Sequence, residues 1–126
     1  MAQIIDKKTD PVAYRLQELR VKLGHRKMAF AELLDVAPSR WSNVENGSPL
    51  SRDMADRLKK TIPGLTLDYI YDGDDSALSD KLKFLLAGIT DRSMLTDLPL
   101  GDHFGRLIWN GGNDYPTSRK RKRGAG

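Results

Sequence analysis

The chain has 126 residues, 39% of them hydrophobic and 30% charged, with a formal net charge of +4 and no cysteine. That length suits one domain with appendages. The missing cysteines exclude disulfides, thiolate metal sites and cysteine nucleophiles, and no apolar run approaches the roughly 18 residues of a membrane span.

Charge divides the chain into three. Residues 1–71 hold 12 Lys/Arg against 9 Asp/Glu, residues 72–118 hold 4 against 8, and Arg119–Arg123 is an unbroken basic run. A basic head, an acidic middle and a basic tail suit a nucleic-acid binder with contact surfaces at two places. They suit equally a near-neutral domain with a solubilising tail. Residues 1–10 are polar and expected to be flexible. They lack an apolar stretch of signal-peptide length, so the expected compartment is the cytoplasm.

Asp10-Pro11 reads as an N-cap followed by a proline in the first helical turn. Val12, Leu16, Leu19 and Leu23 recur at helical spacing, and Gly24 ends the first helix. A second helix opens at His25-Arg26-Lys27 and carries Phe30, Ala31 and Leu34 on one stripe. Asp35-Val36-Ala37 breaks that stripe, and Asp tolerates the left-handed dihedrals of a tight corner better than most residues. The third helix runs from Pro38 to about Asn46. Trp41 and Val44, three apart, share its inner side. At about 100° per residue, Ser39, Asn43 and Asn46 fall opposite, flanked by Arg40 and Ser42. This helix hides an aromatic ridge and shows short hydrogen-bonding groups, which suits a helix laid in a DNA major groove.

After Ser48-Pro49-Leu50, Ser51 caps a fourth helix bearing Met54, Ala55, Leu58 and Ile62, stopped by Pro63-Gly64. Thr66 caps a short fifth helix, Leu67–Tyr71, whose apolar residues are expected to close the core. No segment alternates with period two over a strand's length, so the expected fold class is all-α. Asp72-Gly73-Asp74-Asp75 is a turn without the spaced ligands of a calcium loop. His25 and His103 lie in different segments with no carboxylate cluster beside either. No metal or other cofactor is expected.

The stretch FAELLDVAPSRWSNVENG, residues 30–47, resembles the helix-turn-helix of the phage-repressor class of bacterial regulators, the xenobiotic-response-element type. The resemblance covers about Tyr14 to Tyr71, and its most specific pieces are Ala31 and Val44-Glu45-Asn46-Gly47. The chain departs from the family at the corner, where Asp35 stands for the usual Gly. It departs again at the start of the second helix, where Arg26-Lys27 replaces a small cap followed by Gln. The resemblance implies a five-helix, lambda-repressor-like DNA-binding domain over residues 11–72. It also implies that Ser39, Arg40, Ser42 and Asn43 contact bases of double-stranded DNA, while Arg26, Lys27 and Asn46 contact its phosphates. A cation such as Lys27 at a helix start suits an end that binds an anion. An ion pair between Arg20 and Glu45, partly shielded, is implied as well, and so is a His25 ring packed as a staple at a position usually apolar in the family. The loop Ser48–Leu50 is shorter than the family's, and no contact is carried over to it.

Residues 73–117 form an extension. Ser76 or Ser79 starts a sixth helix, about residues 77–87, with Leu78, Leu82, Leu85 and Leu86 on one side and Gly88 after it. This stripe either folds back on the fifth helix or pairs with its copy in a second subunit; the second arrangement is the one expected. Phe104, Leu107, Ile108 and Trp109 form an apolar cluster before Asn110-Gly111-Gly112-Asn113, which either packs on the domain or anchors a partner. The tail, residues 118–126, has one Ala to bury, so it is expected to be disordered and to track phosphates without reading sequence.

Three functions compete. The first is a sequence-specific DNA-binding transcriptional regulator, bound as a homodimer to a two-fold site. The second is an antitoxin or other protein-interaction module in which residues 89–118 wrap a protein partner. The third is an enzyme, and its case is poor: two isolated histidines, no glycine-rich phosphate loop after a strand, and no Ser/His/Asp grouping.

Overall fold

Six α-helices and one 3-10 turn make up the regular structure among residues 10–107, which the computed structural model describes; no strand occurs among them. In chain order these are α1 Pro11–Leu23, α2 Lys27–Leu34, α3 Pro38–Glu45, α4 Arg52–Thr61, α5 Leu67–Asp72 and α6 Asp80–Leu86, followed by the turn Arg92–Met94. The expectations for the N-terminal residues, for Ile108 and Trp109 and for the basic tail lie outside the described residues.

The helix starts read from the sequence are made by side chains. Asp10 Oδ1 accepts from the Ala13 N–H at 3.1 Å, and Ser51 Oγ from that of Met54 at 3.1 Å. Thr66 Oγ1 accepts from the Tyr69 N–H at 3.1 Å, and Ser79 Oγ from that of Leu82 at 3.2 Å. Each satisfies an amide that the helix itself cannot. Because Ser79 is the cap, α6 begins at Asp80 and not near residue 77; Leu78 sits in the preceding turn, its N–H bonded to the Asp75 carbonyl. Asp35 turns the corner after α2 with φ 61°, in the left-handed region.

The core is built around α1, which packs against α3, α5 and α6, while α2 packs against α3 and α4. Leu16, Leu19 and Leu23 join Phe30, Leu34, Trp41, Met54, Leu58, Ile62 and Ile70 in one buried cluster. From α5, Tyr69 and Ile70 reach it, whereas Leu67 and Tyr71 face outward. Burial pushes the Tyr69 hydroxyl pKa up to about 12, and the charge of Glu18 adds to that rise.

The destination of α6 differs from the expectation. Leu78, Leu82 and Leu85 are buried within this one chain, and α6 lies against α1, so the leucine stripe is core and not the seam of a second subunit. The reason lies in α1. It buries residues around most of its circumference, Val21 included, and Val21 stands about 140° from Leu16 at helical period. A helix apolar on two sides needs two covers.

The second cover continues past α6. Leu95, Leu98 and Phe104 enter the same core, so side chains on both sides of residue 72 share it. The segment 95–104 is a strap tied by its backbone to the end of α1. The Gly101 N–H donates to the Leu23 carbonyl at 2.8 Å, and the His103 N–H to that of Gly24 at 3.0 Å. The approach leaves no room for a side chain: a Cβ on Gly101 would lie 2.4 Å from the Gly24 oxygen.

Three short helices end on cations from elsewhere in the chain. Arg15 donates to the carbonyls of Ile70 at 3.0 Å and Tyr71 at 2.9 Å, ending α5. Lys22 Nζ donates to Leu86 at 2.6 Å, ending α6. Arg57 Nη1 donates to Leu34 at 3.2 Å and Asp35 at 3.0 Å, ending α2 at the corner. Each satisfies carbonyls left without a helical partner and opposes the negative end of the helix dipole. No helix among the described residues is long and apolar enough to cross a membrane.

Candidate functional site

The two sides of α3 have opposite characters. Its inner side inserts Val44 and the fully buried Trp41, whose ring lies edge-on to that of Phe30 with centroids 4.8 Å apart. Beside the indole sits a buried polar network. Arg20 Nε and Nη2 donate to Glu45 Oε2 and Oε1 at 2.5 and 3.1 Å, and Trp41 Nε1 donates to Oε2 at 2.5 Å. Arg20 Nη1 donates to the His25 carbonyl at 2.9 Å. The ion pair is more deeply enclosed than the partly shielded one expected, with side chains 2% and 0% exposed. Three donors on one carboxylate make such burial tolerable, because a charge removed from water needs its hydrogen bonds supplied by the protein.

On the outer side, Ser39, Arg40, Asn43 and Asn46 are exposed and Ser42 is half-buried. Asn46 ends the helix, its N–H bonded to the carbonyls of Ser42 and Asn43. Arg40, Asn43 and Ser48 edge a depression of about 180 Å³ lined also by Val44 and Met54. Arg26 and Lys27 stand apart from this group, at the start of α2, exposed and half-buried respectively. Arg26 borders a different groove of about 660 Å³ between α2 and the strap, together with Met28, Leu33, Leu100 and His103. The seven candidate residues thus form two sets, one along α3 and one at the α2 N-terminus.

Those two helices share a feature that the other four lack. No side chain caps α2, which starts after Arg26, or α3, which starts after Ala37. The helices α1, α4, α5 and α6 are all capped. In α3 little is left to cap, since Pro38 has no N–H and the Arg40 amide already donates to the Ala37 carbonyl at 3.0 Å. The corner between them is held from α4: Arg57, besides its bonds to Leu34 and Asp35, donates from Nε to Asp53 at 3.1 Å. The hydrogen bond and charge of Asp53 raise the pKa of that guanidinium above its ordinary value. Among the described residues, no group of three or more His, Asp or Glu side chains is placed to hold a metal ion.

Sequence reasoning missed Arg57 at the corner, and it missed the strap. His25 does stack on Phe30, ring centroids 5.6 Å apart, as the staple expected at the start of α2. Its Nε2 also meets the Pro99 oxygen at 2.6 Å, a contact no local pattern announces. The available signal was Leu98-Pro99-Leu100-Gly101, a turn-forming pair of residues set among leucines. No protein-family model, no curated protein and no solved structure matches this chain.

Proposed function

We propose that the chain is a sequence-specific DNA-binding protein of the phage-repressor helix-turn-helix type, with α2 and α3 as its two helices and α3 lying in the major groove. The observation that carries this reading is the two-sidedness of α3. Trp41, Val44 and Glu45 are buried on its inner side, while Ser39, Arg40 and Asn43 stand exposed on the other. A fixed helix with free hydrogen-bonding groups is what reading base edges requires. In this reading Asn43 donates and accepts at an adenine edge and Arg40 reaches guanine, with Ser39 and Ser42 beside them. Arg26, Lys27 and Asn46 hold phosphates, and the uncapped start of α2 adds backbone amides to that grip. The protein would act in the cytoplasm as a transcriptional regulator, a homodimer on a two-fold site.

Two substitutions separate base reading from phosphate binding. Asn43→Ala should weaken the preferred site by about 1–3 kcal/mol and leave non-specific binding almost unchanged. Lys27→Ala should weaken both alike and reduce the slope of log affinity against log salt by about 0.9. Both are measured on selected and scrambled DNA at several salt concentrations. If Asn43→Ala bound its preferred site as well as the unaltered chain, α3 would not lie in the groove as drawn.

A second reading, a protein-interaction module such as an antitoxin, draws support from Met28 and Leu33, exposed at the edge of the larger groove. Against it, Leu95, Leu98 and Phe104, from the segment expected to wrap a partner, are spent in the chain's own core. Co-purification of a second protein would favour this reading.

A further inference from the structure

We propose that His25 is a positioning residue through which the strap sets the orientation of α3. The proposal rests on the DNA-binding reading for its consequence, but its structural half can be measured without DNA. A line of hydrogen bonds, continued through the covalent frame of His25, joins the two elements. The Pro99 carbonyl can only accept, so His25 Nε2, 2.6 Å away, carries the hydrogen and donates to it. His25's own carbonyl accepts from Arg20 Nη1, and the Nε–Nη2 edge of that guanidinium donates to Glu45, which also accepts from the Trp41 indole on α3.

Two properties make this line a mechanical connection and not a row of neighbours. First, the guanidinium is planar and rigid, so its three bonds share one orientation. A shift of the His25 carbonyl tilts the plane and carries the Glu45 carboxylate with it. Second, Arg20, Glu45 and Trp41 are at most 2% exposed and His25 is 9% exposed, so water does not step in when a bond lengthens. The strap end is as firmly placed as the α3 end. Gly101 and His103 bond the carbonyls of Leu23 and Gly24, immediately before His25. The strap lies outside the stretch that resembles the repressor helix-turn-helix, and it reaches the same helix from behind.

The test uses the full chain with two substitutions at one position. His25→Phe keeps a ring against Phe30 and loses the donor; His25→Gln keeps a donor and loses the ring. Hydrogen exchange is followed at the Gly101 and His103 amides, which report the strap, and at the Trp41 indole, which reports the far end. All three are referred to the Leu58 amide in α4, which reports global unfolding, and the indole signals are assigned with Trp109→Phe. In His25→Phe, strap and indole exchange should both quicken about tenfold relative to Leu58, the weight of one hydrogen bond. His25→Gln should restore most of both. The ratio of selected to scrambled DNA affinity should fall in His25→Phe by a similar factor with an unchanged salt slope, since no phosphate contact is lost.

Quickened strap exchange with an unmoved Trp41 indole would overturn the connection, as would a strap unaffected by His25→Phe. Equal losses in both variants would assign the effect to ring packing and overturn the role of the donor. An indole that responds while the DNA ratio does not would overturn the positioning of α3 for reading. If the unaltered chain selects no DNA, the proposed function fails, and the exchange data still decide the connection.

Discussion

Glu45 is a buried carboxylate that accepts two hydrogen bonds from Arg20 and one from the Trp41 indole. Removing one partner of a buried pair leaves the other charge uncompensated and costs about 3–5 kcal/mol. Arg20→Ala and Glu45→Ala should each lose that much in urea unfolding, and the double variant should lose far less than the sum. Additive losses would show that the two side chains act separately. Tyr69 makes a different prediction, about alkali. Its hydroxyl pKa is pushed up to about 12 by burial, from an ordinary value of about 10. The folded state therefore keeps a proton that the unfolded chain gives up. The resulting stability is complete below pH 10 and disappears as pH rises through 12. Tyr69→Phe should remove this part of the alkaline loss, seen as a smaller fall in melting temperature between pH 10 and 12.

At the scale of elements, what was legible in the sequence was local. Asp10, Ser51, Thr66 and Ser79 cap helices because a cap is decided within four residues. Phe30, Ala31, Leu34, Trp41 and Val44 are core because a stripe shows its own side. The stripe of α6 was equally visible, but a stripe does not name its cover: the fifth helix or a second subunit was expected, and α1 is what covers it. The same limit hid Arg15, Lys22 and Arg57, each of which ends a helix distant in sequence. Of the candidate site, the outward set on α3 was legible from angle alone, while the support behind it through His25 and Pro99 spans 74 residues. The strap tests this distinction. Gly101→Ala would force a Cβ to within 2.4 Å of the Gly24 oxygen, a backbone atom with nowhere to retreat. The strap should lift, costing about 1–3 kcal/mol as overpacking does. A melting curve reads the loss, and an unchanged one would mean that the close approach relaxes at no cost.

For the whole molecule, the shared core leads to the prediction that the first 72 residues need the later segment to fold. Leu78, Leu82, Leu85, Leu95, Leu98 and Phe104 all lie beyond that point and are all buried. Each contributes about 1.5–3 kcal/mol of burial, against a net stability of roughly 5–15 kcal/mol for a domain. A fragment of residues 1–72 should show no cooperative thermal transition by circular dichroism where the full chain does. A transition at the same temperature would show that the later segment is an ornament. The placement of the strap also has a consequence for synthesis. Phe104 is added 81 residues after Leu23 completes α1, and at roughly 5–20 residues per second that helix waits about 4–16 s for its last partner. Until α6 and then the strap emerge, the second apolar side of α1 is open to chaperones and to neighbouring nascent chains. Yield in the cell should then depend on the traffic around the ribosome as well as on the stability of the finished fold.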